Sequence, residues 1–245
     1  VLGAAGLVFC RALRIKRNLA AASRCAHMPI FEHHIVENCM ENTASSHPLQ
    51  PAPFEHETWW QRLSDDWKLA FNEVLFQQKN AATPTAEQLE TLHQLTVLRL
   101  AGPSAMFPNT SIELQDLSGV SQLDNLEILV VANHNLTTLQ GLSGLGKLQS
   151  LFVFGNRIGS LQGIEALPHL KQLYINDNQI SDLTPLAGLV HLETIHCAHN
   201  KLTSLEGIGK QHTALKDFFC LPNEGIWNAE ILRFETAYRI RCQKG

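Results

Sequence analysis

Apolar side chains return along the middle of the chain every 22 residues. Leu126, Leu148, Leu170 and Leu192 keep that interval, and so do Asn156, Asn178 and Asn200. With these leucines as position one, the apolar positions of the repeat are one, four, six, eleven, fourteen, seventeen and twenty, and asparagine holds position nine in three of the four units. The unit at Leu148 shows the pattern in full with Leu151, Val153, Ile158, Leu161, Ile164 and Leu167. The unit at Leu170 repeats it with Leu173, Ile175, Ile180, Leu183, Leu186 and Leu189. A last unit begins at Leu215 with Phe218 and Cys220, and a degenerate first one at Leu95 with Leu98 and Leu100. A fixed period in this range marks a solenoid, in which each unit buries its apolar face only against its neighbours.

Spacing inside the unit predicts its local structure. Positions four and six alternate, so they belong to a short strand with those side chains inward and positions three and five outward. Strands of successive units then pair in parallel. From eleven to twenty the apolar residues recur every third residue, which suits a 3₁₀ or irregular return path rather than an α-helix. Asparagine at nine falls where the chain leaves the strand, and its amide can both donate to and accept from the turn backbone. Stacking predicts a structural ladder of Asn156, Asn178, Asn200 and Asn223. Losing one leaves backbone groups unpaired, at roughly 1–3 kcal/mol. His134 takes the ladder position in its own unit and Pro103 in the first. From Leu95 to Leu126 is 31 residues rather than 22, which predicts a protruding loop about 104–112. One extra residue falls within 210–214.

Four consecutive units in register, from Leu126 to Ile208, follow the leucine-rich-repeat pattern. The repeat resembles the 22-residue subclass found in internalins and in the leucine-rich regulatory subunit of protein phosphatase 1. The resemblance covers roughly residues 95–223, and the end segments look more loosely like those of bacterial repeat proteins. It implies an α/β solenoid with short parallel strands on the concave face, a 3₁₀ or irregular convex side and helical caps at both ends.

The flanks fit that scheme. Trp60, Leu63, Trp67, Phe71 and Leu75 stand three or four residues apart, as on one helical face. Ser64 is placed to cap a second helix from Asp65, and Thr83 and Pro84 to begin a third that runs to His93. This aromatic segment reads as a cover for the open first layer of the stack rather than as a membrane-binding amphipathic helix. At the other end Asn228 is placed to cap a helix with Ile231, Leu232, Phe234 and Tyr238 on its apolar stripe, and 239–242 to add a short strand. The expected organisation is a flexible leader over 1–53, a helical N-terminal cap over 54–94, repeats over 95–223 and a helical C-terminal cap over 224–245.

Composition narrows function mainly by exclusion. The 245 residues carry a net charge of −4, which provides no global basic field for nucleic acid or anionic lipid. No apolar run approaches the roughly 20 residues of a membrane span. The run from Val1 to Cys10 precedes Arg11, Arg14, Lys16 and Arg17, the reverse of a secretory signal, and Leu7-Val8-Phe9-Cys10 is only a weak lipobox. Met28 or Met40 is an alternative start. Six cysteines show no disulfide framework, and Cys197 and Cys220 fall on core positions, so a reducing compartment is the simpler expectation. Asn109-Thr110-Ser111 and Asn135-Leu136-Thr137 match glycosylation acceptors, the second with a core residue in its middle.

The outward positions carry the candidate chemistry. Position five reads Arg99, Val130, Phe152, Tyr174, His196 and Phe219, an aromatic run where solvated residues belong. Phe154 and Asn176 at position seven and His199 at position eight adjoin it. Aromatics with an arginine are what protein-binding surfaces favour. The competing reading is that large side chains only cover neighbouring strands, since cross-strand aromatic pairs stabilise sheets. His196 and His199 bracket an inward Cys197, and His169 and His191 lack a carboxylate or thiolate partner, so no zinc site is expected. Phosphate loops, zinc-protease helices and nucleophile elbows are missing from the sequence, so neither a catalytic residue nor a cofactor is expected. The expectation is a monomeric, cytoplasmic, non-enzymatic module that binds a protein or peptide, with no nucleic acid, no membrane span and no metal. Two alternatives stay open by resemblance, a secreted or surface-attached adhesin and a regulatory subunit of an enzyme. A third, an enzyme using the exposed histidines, would need activity that His196→Ala abolishes.

Overall fold

The computed structural model describes residues 55–245. The expectations for the leader, including Cys10, Cys25 and Cys39, lie outside the described residues. Seven strands form one parallel sheet in chain order. They are β1 (Val97–Ala101), β2 (Ile128–Ala132), β3 (Ser150–Phe152), β4 (Gln172–Tyr174), β5 (Thr194–His196), β6 (Asp217–Leu221) and β7 (Gln243–Lys244). Position four is one inward row, in which Leu98, Leu129, Leu151, Leu173, Ile195 and Phe218 pair in register. Those residues and the leucines and isoleucines of positions eleven to twenty make one continuous core cluster. The sheet is open, and the chain is a solenoid.

Strands are short because each unit turns at position eight. Asn133, Gly155, Asp177 and His199 occupy that position in four successive units, and all four hold a left-handed backbone, with φ of +58°, +66°, +55° and +55°. Glycine and short polar side chains tolerate that region best, which accounts for this otherwise dissimilar set. The return path contains 3₁₀ segments at Ser118–Val120, Ile164–Ala166 and Thr184–Leu186. A side-chain oxygen starts several of these turns. Asp116 and Asp182 accept from Ser118 N–H and Thr184 N–H at 2.8 Å, and Ser204 accepts from Glu206 N–H at 3.0 Å.

Among the described residues three helices precede the sheet, α1 (Glu55–Arg62), α2 (Asp65–Phe76) and α3 (Ala86–His93). Ser64 caps α2 by accepting from Trp67 N–H at 3.3 Å. The third helix starts later than its sequence suggests. Thr85, not Thr83, is its cap, because Gln88 three residues on closes a reciprocal pair: Gln88 N–H donates to the Thr85 hydroxyl and Thr85 N–H to the Gln88 carbonyl oxygen. Trp59, Trp60, Trp67 and Phe71 are buried in the same cluster as the repeat leucines. Trp67 packs flat against Gly119 of the first unit, where a Cβ would collide with the indole, and its Nε1–H donates to Asp116 at 3.2 Å.

After the repeats comes α4 (Asn228–Tyr238). Its cap position is Trp227, and no side chain caps it, so Asn228 is an ordinary first-turn residue. Phe234 meets Phe218 with ring centroids 5.7 Å apart, and Ile231 and Tyr238 pack beside it. Leu232 does not join the stripe. It points away and is 67% exposed, since it sits two residues from Phe234 and so about 200° round the helix. The final strand is Gln243–Lys244, just beyond the segment expected to form it.

Candidate functional site

Position five becomes a row across the sheet. Arg99, Val130, Phe152, Tyr174, His196 and Phe219 are register partners on six adjacent strands. Phe152 and Tyr174 stack with centroids 4.6 Å apart and planes 21° from parallel. Tyr174 meets His196 edge to face at 5.8 Å, and His196 meets Phe219 at 5.3 Å. All four rings are half-buried. Val130 departs from expectation. It is only 4% exposed, because a short side chain between Arg99 and Phe152 lies at the floor of the row. Its place is a recess, not a contact point. The far end of the row is also bounded, because Gly245, following β7, lies against the His196 ring and Ala198. The open part is therefore Phe152 and Tyr174, with the partly exposed Phe154 and Asn176 beside them and exposed His199 at the turn.

From β2 to β6 the charges on this face are few and of one sign. On the five strands β2 to β6, positions three, five, seven and eight contain Asp177 and Asp217 and no lysine or arginine. Among the basic residues of these units, Lys171 and Lys216 stand on one flank and Arg157 and Lys201 on the other. Arg99, at the head of the row, donates to the Phe107 carbonyl at 2.8 Å. Burial raises the Tyr174 hydroxyl above its usual pKa, and the Asp217 carboxylate adds to that. Burial lowers His196 below the usual imidazole range, with Asp177 pulling the other way, so the ring is neutral at pH 7.

The ladder asparagines sit behind the face, against the turns. Asn156 Nδ2 donates to the carbonyls of Val131, Val153 and Phe154 at 2.9–3.2 Å, and its Oδ1 accepts from Leu136 N–H at 3.1 Å. Asn178 and Asn200 make the same four kinds of bond one and two units on. Asn223 closes the series, donating to Cys197 and Cys220 carbonyls. His134 fills the place by another route. Its Nδ1 accepts from Leu114 N–H at 3.1 Å. Burial lowers its pKa to about 4 against the opposing pull of the Leu100 carbonyl, Glu113 and the Ile112 carbonyl. A second histidine, His212, takes the extra residue near 210–214 into the core. Its Nδ1 accepts from Gly209 N–H, which leaves Nε2–H to donate to the Leu186 carbonyl at 3.1 Å.

The insertion is an edge device as well as a loop. Among the described residues β1 is the first strand, and no other strand pairs with its outer edge. Asn109 covers it: its Oδ1 accepts from Ala101 N–H at 2.7 Å and its Nδ2 donates to the Arg99 carbonyl at 2.8 Å. Ser111 ties the loop to the helices, donating to both carboxylate oxygens of Glu73. Met106 and Phe107 are left 87% and 73% exposed at the tip. With both ends of its amide engaged, Asn109 is not presented as a glycan acceptor. Sequence spacing revealed the excess length but not this role, which depends on contacts between the loop and a distant strand edge.

Cysteine and histidine chemistry stays apart from the row. Cys197 and Cys220 are buried, and burial raises the Cys197 thiol. The Cys220 thiol donates to Cys242, which raises Cys220 and lowers Cys242. Among the described residues no group of three or more histidine, cysteine or acidic side chains is arranged to hold a metal ion. No helix among them is long and apolar enough to cross a membrane.

Known proteins share this architecture. A family model described as Leucine Rich repeats (2 copies) matches residues 147–188. Residues 147–188 are leucine-rich repeats, and the fold is a leucine-rich-repeat solenoid. Its repeats are of the internalin-like type: an internalin from Listeria monocytogenes superimposes with a TM-score of 0.58 at 26% identity, over 74% of this chain and 50% of that one. A leucine-rich-repeat protein of Leptospira interrogans shares the fold with a TM-score of 0.53 at 24% identity, over 66% of this chain and 40% of that one. The chain thus spans about half the length of the internalin it matches. Among curated proteins none matches significantly. Leucine-rich repeats are generally interaction modules rather than enzymes.

Proposed function

We propose that the chain binds a protein or peptide segment on its concave face, centred on Phe152 and Tyr174. The observation that carries this reading is the row of four half-exposed rings on adjacent strands, in contact with one another and open to solvent at Phe152 and Tyr174. Rigid, preorganised aromatics lose little side-chain freedom on binding, which is why they dominate binding hot spots. The left-handed turns at position eight and the asparagine bonds behind them fix the strand ends, so the row is held by the backbone and not only by ring contacts. The same reading serves a cytoplasmic or a surface-exposed protein.

The test compares wild type with a Phe152→Ala/Tyr174→Ala variant. Both proteins are checked by circular dichroism and melting, then used to capture partners from lysate of the source cells. Partners seen with wild type are expected to be lost or to bind at least about 100-fold more weakly to the variant. Unchanged capture by a folded variant would mean that the rings only cover the sheet.

A further inference from the structure

We infer that the segment seated on this face carries basic side chains, with the aliphatic stem of a lysine or arginine lying across the aromatic row and its head paired with Asp177 or Asp217. This rests on the binding-face reading above and adds the chemistry of the occupant. Three observations lead to it.

The first is the orientation of the rings. Phe152 and Tyr174 are turned face to face, so an approaching segment meets ring edges and the Tyr174 hydroxyl. Ring edges carry the positive part of the aromatic quadrupole, which does not favour a bare cation above them. They do accept methylene groups. Lysine and arginine offer such a stem with a charged head at its end, and they bury the stem while keeping the head at a polar site.

The second is where the polar sites stand. Asp217 is at position three and Asp177 at position eight, so the two carboxylates flank the row on opposite sides along the strand direction. Each is close enough to act on a ring of the row, Asp217 on Tyr174 and Asp177 on His196. Asp177 accepts from Asn176 at 2.6 Å, and Asp217 from Gln243 at 3.5 Å, bonds that leave each carboxylate acceptor capacity for a charged partner. A stem crossing the row from Tyr174 therefore ends near a carboxylate in either direction.

The third is the sign of the face. On the strands from β2 to β6 the outward positions hold these two carboxylates and no lysine or arginine. Burial holds His196 below the usual imidazole range, so that ring adds no charge at pH 8. Arg99 is bonded to the Phe107 carbonyl two strands beyond Phe152, and Lys244 lies on the outermost strand. Lys216, beside Asp217, is turned to Glu193, with which it forms a 2.7 Å ion pair, so an acidic segment meets like charge on this face whereas a basic one finds its complement.

The probe is a random 12-residue peptide library displayed on phage and panned at pH 8 against the full chain. Recovered peptides are synthesised and titrated against wild type, Asp177→Asn/Asp217→Asn and Phe152→Ala/Tyr174→Ala. Asparagine is well suited to the left-handed turn at 177, so the charge variant keeps its backbone; melting confirms that both variants are folded. Recovered sequences are expected to share a lysine or arginine. Replacing it by citrulline or norleucine, or using the asparagine variant, weakens binding by roughly tenfold. Peptides that need Phe152 and Tyr174 but are neutral or acidic, and that ignore the asparagine substitutions, overturn this inference and leave the binding face standing. Peptides indifferent to Phe152 and Tyr174, or a library that yields no binder, overturn both.

Discussion

Asn178 and His134 hold the same place two units apart, and they hold it differently. Asn178 spreads two amide protons over the carbonyls of Val153, Ile175 and Asn176 and accepts from Ile158 N–H at 2.9 Å. His134 keeps the acceptor role, taking Leu114 N–H at 3.1 Å, but has one ring proton where the amide has two. The shared element is the bond back to position eleven of the preceding unit, which joins one layer to the next. The donor side is what varies, and it varies where the preceding unit carries the insertion. A ladder side chain thus has to match the layer beneath it as well as its own turn. The amide is indifferent to pH, whereas the imidazole is not.

The largest effect is expected at the regular position. Asn178→Ala takes one amide donor from three carbonyls of two adjacent units, of which Val153 and Ile175 keep a second from Asn156 and Asn200, and leaves Ile158 N–H without its partner, at a cost of about 3 kcal/mol. Because stability in a solenoid passes between neighbours, this shows as a lower urea midpoint for the whole transition rather than for one unit. His134→Ala, which removes fewer bonds, is expected to cost less at pH 7.5. Equal losses would break the comparison.

Slightly smaller, and dependent on pH, is the effect of the imidazole itself. The folded-state pKa of His134 is lowered to about 4, below its ordinary value of 6.5, so the unfolded chain binds the extra proton first. Its contribution is full above pH 6.5 and is lost as pH falls towards 4. From pH 7.5 to 4.5 that amounts to about 2.5 kcal/mol. Other groups titrate in the same window, so the readout is the difference between wild type and His134→Asn. Melting temperatures of the two are expected to diverge on acidification, with wild type falling faster. Parallel curves would show that the native ring is not held neutral.

Much of the frame was legible because it is periodic. Each of Leu151, Leu173 and Ile195 is repeated one unit away, and a repeated residue reports a repeated environment. What the sequence hid was set by neighbours of unequal kind. Val130 looked like its row companions, yet its burial follows from the size of Arg99 and Phe152. Thr83 and Thr85 are equally good capping residues in isolation, and Gln88 decides between them. Position eight looked variable in side chain but is constant in backbone, since Asn133, Gly155, Asp177 and His199 all turn left-handed. The aromatic row was legible as a row. Its boundary at Gly245 was not, because a residue far along the chain supplies it.

The smallest of these effects concerns the edge beside His134's unit. Interior strands have a neighbour on both sides, while β1 has the Asn109–Thr110 segment in place of one. Asn109→Ala removes the two bonds by which that side chain imitates a neighbouring strand, and about 1.5 kcal/mol is the expected loss. Its second consequence is specific to an edge. The Ala101 N–H and the Arg99 carbonyl become free to pair with another chain, so the variant is expected to self-associate in sedimentation at concentrations where wild type does not. Asn135→Ala controls for losing an amide. Its Nδ2 donates to Glu113 at the exposed surface, and its removal should change neither stability nor mass. If Asn109→Ala behaves like Asn135→Ala, the loop covers the edge by its backbone alone, through the Asn109 and Thr110 N–H groups that both donate to the Ala101 carbonyl.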